Sequence, residues 1–217
     1  MALKRLNAAR KVSIPKKDKV WIVKPCAGSH EAKESVALSF LLRNLLGVAS
    51  NAREAGVLIK GGKVLVDGRK IKNPKFPVSY MDVVHIPDVG MTYYIDLDSK
   101  GRLIAKRDER GYKLSRVEGK RTIRGGKTQF TLDDGRTFIS GEGYKVGDTL
   151  KVSLSKFKVE AHYPLEVGAE CVVLDGGHAG EHGRIVSIVP GTPSARSKVR
   201  IESGGEGYTT FMNYVFV

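Results

Sequence analysis

Three residues in the second quarter of the chain, Asn51, Arg53 and Lys60, have the types and spacing to hold a phosphodiester backbone. Arg53 and Lys60 are seven residues apart, which on a helix is roughly two turns, about 10 Å along one stripe. Asn51 would cap that helix, with Glu54 three residues on in the capping-box arrangement. A helix start offers unpaired N–H groups to an anion, and the two cations would extend the same surface. Arg43, turned away from the leucine stripe of the preceding segment, is a helper. Other chemistries fail at the level of residues. His178 and His182 have ligand spacing for a helix, but glycines interleave and no Cys or third His stands near, so no metal is expected. The run from Gly176 to Gly183 lacks the Gly-Lys-Ser/Thr ending of a phosphate loop. No Ser or Cys occupies a recognisable nucleophile elbow. Neither a catalytic residue, a cofactor nor a small-molecule substrate is expected.

The elements that must carry these side chains are short. Leu38, Leu41, Leu42 and Leu45 recur at helical spacing, and Gly47 follows as a stop. In the next helix Ala52, Ala55, Leu58 and Ile59 share one face, with Arg53 and Lys60 on the other. Gly61-Gly62 ends it, residues 63–66 read as a strand, and Asp67-Gly68 is a two-residue hairpin signal returning through 69–71. Lys63, Arg69 and Lys70 add cations. Two short helices, a hairpin and exposed cations imply an RNA-binding unit.

Charge supports that reading. The 217 residues carry a formal +14, which suits a polyanionic partner because each neutralised phosphate releases counterions. Residues 1–24 hold eight Lys or Arg against one Asp, whereas residues 161–217 hold four against six. The front binds by charge, and the last part must work another way. No apolar run approaches the roughly 18 residues of a membrane helix, so no membrane partner is expected. The basic, acid-poor start could mimic an organelle transit peptide; RNA contact through Lys4, Arg5, Arg10 and Lys11 is preferred. Cys26 and Cys171, with no Cys-x-x-Cys pair, read as reduced thiols of a cytosolic protein.

No apolar period runs through residues 1–30, which implies an extended arm. Trp21, Ile22 and Val23 argue against simple disorder, so the arm is expected to order on RNA and pack partly on the next module. After Pro87 the pattern turns to short alternating strands with turn clusters at 98–101 and 133–135. Arg121, Arg124 and Lys127 form a basic, glycine-containing loop that fits either phosphate contact or an ordinary solvated loop. Near the end, strands at 167–174 and 184–188 flank the glycine run, with Glu181-His182 at its tip. At least one of Gly180 and Gly183 is expected to hold φ > 0, and Arg184 to make a point contact with RNA or protein.

Resemblance sharpens these expectations. The run from Asn51 to Gly68 resembles the small RNA-binding module first named after bacterial ribosomal protein S-four, and 81–86 resembles its closing strand. The glycine loop with its strands looks like a KOW motif of an SH3-like barrel. Leu3-Lys4-Arg5-Leu6, Val23-Lys24-Pro25 and the runs at 134–137 and 146–149 are similar to the archaeal and eukaryotic small-subunit ribosomal protein of the S-four-e type. Members usually carry Pro where Ser29 stands. A pseudouridine synthase, which shares the module, would need an Asp where Ile104 follows Gly101-Arg102-Leu103.

The expected fold is α+β and multidomain. It comprises a basic arm (1–37), an S-four-type module of helices and a hairpin (38–88), a central antiparallel β domain (89–160) and an SH3-like KOW barrel (161–217). The resemblance implies a non-catalytic constituent of the cytoplasmic small ribosomal subunit that binds and shapes rRNA beside neighbouring ribosomal proteins. A free translation or assembly factor built from the same modules is the alternative.

Overall fold

The computed structural model describes residues 2–15, 17–192 and 195–217, with far more of them in strands than in helices. The chain divides into two compact units. One holds the residues up to Asp98 with Arg102–Lys113 and Ser153–Phe157, and the other holds Ser99–Gly101, Leu114–Val152 and Lys158–Val217.

The first unit begins with an antiparallel ribbon of β1 (Ala2–Lys4) and β2 (Trp21–Val23). The N-terminal segment is therefore a paired ribbon rather than an extended arm. Val12 and Ile14 between the strands are buried, and burial of aliphatic side chains stabilises by about 1.5–3 kcal/mol each. After β3 (Val36–Ala37) comes a single α turn, α1 (Leu38–Phe40), that widens into a π-helical turn over Leu41–Leu45. The leucine stripe is real, since Leu38, Leu41 and Leu42 are fully buried, but it is wound only in part as an α-helix.

The second helix, α2 (Ala52–Lys60), forms as its caps dictate. The Asn51 side chain accepts from the Glu54 backbone N–H. The Glu54 carboxylate reaches back to the Ser50 N–H and hydroxyl, one residue earlier than a capping box requires. Then β4 (Leu65–Val66) and β5 (Arg69–Lys70) close a hairpin on Asp67 and Gly68, whose φ of 49° and 76° are those of a type I′ turn. Following β6 (Pro77–Val78), which pairs with β3, come β7 (Val83–Ile86), β8 (Met91–Leu97) and β9 (Leu103–Arg107). They complete one sheet in the order β5-β4-β7-β8-β9. Residues 91–107, expected in the central domain, thus hydrogen-bond into the sheet of the preceding module.

Mainly in the second unit, which takes β10 from Leu114 and β13 up to Val152, β10 (Tyr112–Thr122), β11 (Thr128–Leu132), β12 (Thr137–Ser140), β13 (Thr149–Ser153) and β14 (Val159–Tyr163) form a sheet ordered β12-β11-β10-β13-β14. Since β14 runs to Tyr163, the expected boundary at 160 falls inside a strand. A further five-stranded antiparallel sheet contains β15 (Glu170–Val173), β16 (His182–Val189), β17 (Lys198–Ser203), β18 (Glu206–Phe211) and β19 (Val215–Phe216), ordered β18-β17-β16-β15-β19. Its core is Cys171, Val173, Ile185, Val199, Ile201 and Val215. The Arg116 guanidinium of β10 donates to the Asn213 and Val215 carbonyls at 2.6 and 3.2 Å, tying the two sheets of this unit together.

Candidate nucleic-acid interface

The two faces of α2 differ as the periodicity requires. Ala55 and Ile59 are buried, whereas Arg53, Val57 and Lys60 are exposed. Those three are spaced four and three residues apart, so they form one stripe. Val57, 66 % exposed between two cations, was not anticipated. Its spacing from Arg53 and Lys60 was the available signal, masked because a valine reads as core. This stripe offers two positive charges around an apolar spot, which is how a surface meets phosphates and sugars together.

The start of α2 departs from expectation. The Asn51 side-chain oxygen accepts the Glu54 N–H, so one of its two lone pairs serves the cap. The Ser50 hydroxyl and backbone hold the Glu54 carboxyl below its usual range, which places a negative charge where a phosphate was expected. The cations, not the helix end, remain as the candidate contact.

Around α2 the other cations vary in availability. Arg69 and Lys70 are exposed on β5, the edge of its sheet. Lys63 pairs with Asp88 at 2.6 Å, with both side chains about half exposed; such a pair contributes about 0–1 kcal/mol and yields readily to a phosphate. Arg43 is half-buried, its Nε donating to Asn44 Oδ1 at 2.9 Å.

Two N-terminal expectations are corrected. Arg5 is buried, and its guanidinium donates to the Ile14 and Val12 carbonyls. Lys11 is buried as well, with its carbonyl accepting from Leu103. The Arg5 side chain is spent on the fold, because a segment without α-helix or long sheet draws on side chains to satisfy its carbonyls, and burial takes Lys11 off the surface. Lys4 and Arg10 are exposed, and the Lys4 Nζ lies 5.8 Å from the centre of the Trp21 ring.

Beneath the hairpin lies a polar core that sequence reasoning missed. Lys113 Nζ contacts Asp67 Oδ2 at 2.8 Å and Asp82 Oδ1 at 2.5 Å, and His30 Nε2 lies 3.0 Å from the same Asp82 oxygen. Asp67 also accepts from the Val83 N–H and Asp82 from the Ser79 N–H. Burial would raise the Asp82 carboxyl, but Lys113 and then His30 hold it below the usual range. These partners are 31 to 52 residues apart in sequence, so no local pattern announces them.

In the second unit Arg121, Arg124 and Lys127 are exposed around the β10–β11 turn. Arg184 is exposed, 3.9 Å from Glu170. His182 lies in β16 opposite Val172, not at a loop tip. The His178 ring stacks on Tyr208 at 3.8 Å and 8°; burial, then the Glu181 charge, pushes the Tyr208 hydroxyl up to about 12. Burial likewise pushes the Cys171 thiol up to about 11, which makes it an inert thiol at neutral pH. Among the described residues no cluster of three or more His, Cys, Asp or Glu could hold a metal, and no helix is long and apolar enough to cross a membrane.

Residues 89–159 match the model of the ribosomal family S4e, and residues 41–84 match the S4 domain. The small ribosomal subunit protein eS4 of Methanosphaera stadtmanae is 39 % identical over 99 % of this chain and 90 % of its own length. That of Methanothermobacter thermautotrophicus is 40 % identical with the same coverage. The crystal structure of 30S ribosomal protein S4e from Thermoplasma acidophilum superposes with a TM-score of 0.71 at 29 % identity, covering 84 % of this chain and 94 % of that one.

Proposed function

This chain belongs to the ribosomal family S4e, and on that premise we propose that it is a structural constituent of the small ribosomal subunit that binds and shapes rRNA. It works in the cytoplasm as part of the ribosome, in a structural rather than a catalytic role. The single observation that carries RNA contact is the α2 stripe of Arg53, Val57 and Lys60, flanked in sequence by the exposed hairpin cations Arg69 and Lys70. Arg124 and Lys127 add a second basic loop, and Lys4 and Arg10 a third. The C-terminal sheet, whose segment carries a net −2, is read as the KOW, SH3-like part and touches rRNA or neighbouring ribosomal proteins through its loop backbone and Arg184.

The test reverses charge on the stripe. Arg53→Glu with Lys60→Glu replaces two exposed cations on a helix whose buried face is Ala55 and Ile59. Thermal stability should therefore stay within a few degrees, while affinity for a small-subunit rRNA fragment in a mobility-shift titration falls at least tenfold. Wild-type affinity in the double variant removes α2 from the interface.

A further inference from the structure

Leu6, Val20 and Trp21 are 75, 69 and 56 % exposed, on a ribbon whose other face is closed. β1 and β2 pair with Lys4 opposite Trp21 and Leu3 opposite Ile22. Strand alternation sends those two pairs to opposite faces. Ile22 is buried, and with Leu3 it lines a small cavity bounded by Val36 and Phe40. Lys4 and the indole are left outward. Lys4 Nζ stands 5.8 Å from the ring centre, Lys17, Lys19 and Lys24 are exposed and close by in sequence, and Asp18 is the one acid in residues 2–24.

We propose that the outer face of this ribbon is a stacking platform for an unpaired RNA nucleotide, the base lying on the Trp21 indole and the adjoining phosphates meeting the lysines. The proposal rests on the RNA-binding reading above and deepens it by naming the state of the RNA. An exposed aromatic ring beside a cation, in a lysine-rich segment, suits a single strand, since every base has a π face and every nucleotide a phosphate. A duplex hides its base faces and would use only the lysines. A protein partner would cover Leu6 and Val20 as well, but lysines are depleted at the centre of protein interfaces, and here Lys4 stands over the ring in a lysine-rich segment.

Trp21 is the sole tryptophan, so its emission reports on this spot alone. The full-length chain is titrated with oligouridylate and, separately, with a blunt RNA duplex, binding being followed in parallel by mobility shift. Oligouridylate should quench the emission saturably, and a bound duplex should quench far less. Trp21→Tyr should bind oligouridylate nearly as wild type, and Trp21→Leu about tenfold more weakly at an unchanged melting temperature. Oligouridylate that binds with emission unchanged, or equal affinity in Trp21→Leu, overturns the platform while leaving RNA binding elsewhere intact. Should Leu6→Ser with Val20→Ser detach the protein from salt-washed small subunits while Trp21→Leu stays attached, the face belongs to a protein and the proposal falls. A chain that binds neither RNA overturns the functional reading itself.

Discussion

Gly180 and Gly183 are glycines for different reasons, and only one reason is visible in the sequence. Gly180 holds φ at 91°, as a glycine-rich reversal suggests. Gly183 has ordinary strand geometry, but a Cβ there would stand 2.5 Å from Ile201 Cγ2 and 2.7 Å from the Glu202 carbonyl oxygen. That conflict comes from β17, which no local pattern reveals. Gly180→Ala should cost about 1 kcal/mol from backbone strain, and Gly183→Ala about 1–3 kcal/mol because backbone must move; denaturant titration of each variant measures the difference. Asp82 supplies a second residue-scale prediction. Its folded pKa lies below the ordinary 3.8, so its ionised form stabilises fully above about pH 4, and that contribution is lost as pH falls through the depressed value. Asp67, raised by burial against the pull of Lys113, runs in the opposite sense. Asp82→Asn leaves Lys113 with one carboxylate and His30 with none of its Asp82 charge, a change that costs about 3–5 kcal/mol for a broken buried pair. The gap between wild type and variant in thermal melts should shrink as pH falls below about 4.

Elements were legible in proportion to how local their causes are. The Asn51 cap and glycine stop of α2 and the Asp67-Gly68 turn have causes within a few residues and form where the sequence puts them. By contrast, Glu54 reaches one residue further back than a capping box, and Ala52, expected on the apolar face, is exposed. The ribbon of β1 and β2 was missed because its pairing joins Ala2 to Val23 across a loop with no period of its own. Its charges misled for the same reason: Arg5 and Lys11 look like RNA contacts until the loop folds over them. Removal of residues 2–19 therefore takes away β1, Val12 and Ile14, and should lower the melting temperature of the full chain by several degrees. The exposed cations lost include Lys4, Arg10, Lys17 and Lys19. If these four meet phosphates, the log–log salt slope of rRNA binding should become shallower by about 3–4. A full wild-type slope in the truncated protein would show that the segment supports the fold alone.

At the scale of the whole molecule, composition announced the partner better than the partition. A net +14 concentrated before residue 160 is a statement about polyanions that needs no fold. The partition into four expected segments followed changes in pattern, whereas strands join by hydrogen bonding. The sheet containing β7 takes in β8 and β9, and the central sheet takes in β14. The hairpin signals at 98–101 and 133–135 were sound, but they specify which strands neighbour in sequence, not where one sheet stops and the next begins.

The discontinuous first unit has a consequence for biosynthesis. Its buried carboxylates, Asp67 and Asp82, leave the ribosome well before the lysine that neutralises them. Lys113 lies 31 residues beyond Asp82, an interval of roughly 2–6 s at about 5–20 residues per second. During that interval a nascent chain closing its hairpin would have to bury carboxylates with no lysine beside them, at a cost of several kcal/mol per ion. The hairpin also waits for the residue that follows β13, the fourth strand of the central sheet to be made, since Gly68 packs beneath the Leu154 carbonyl. Emergence order and folding order therefore differ: the segment synthesised first is finished only after a large part of the second unit has been made.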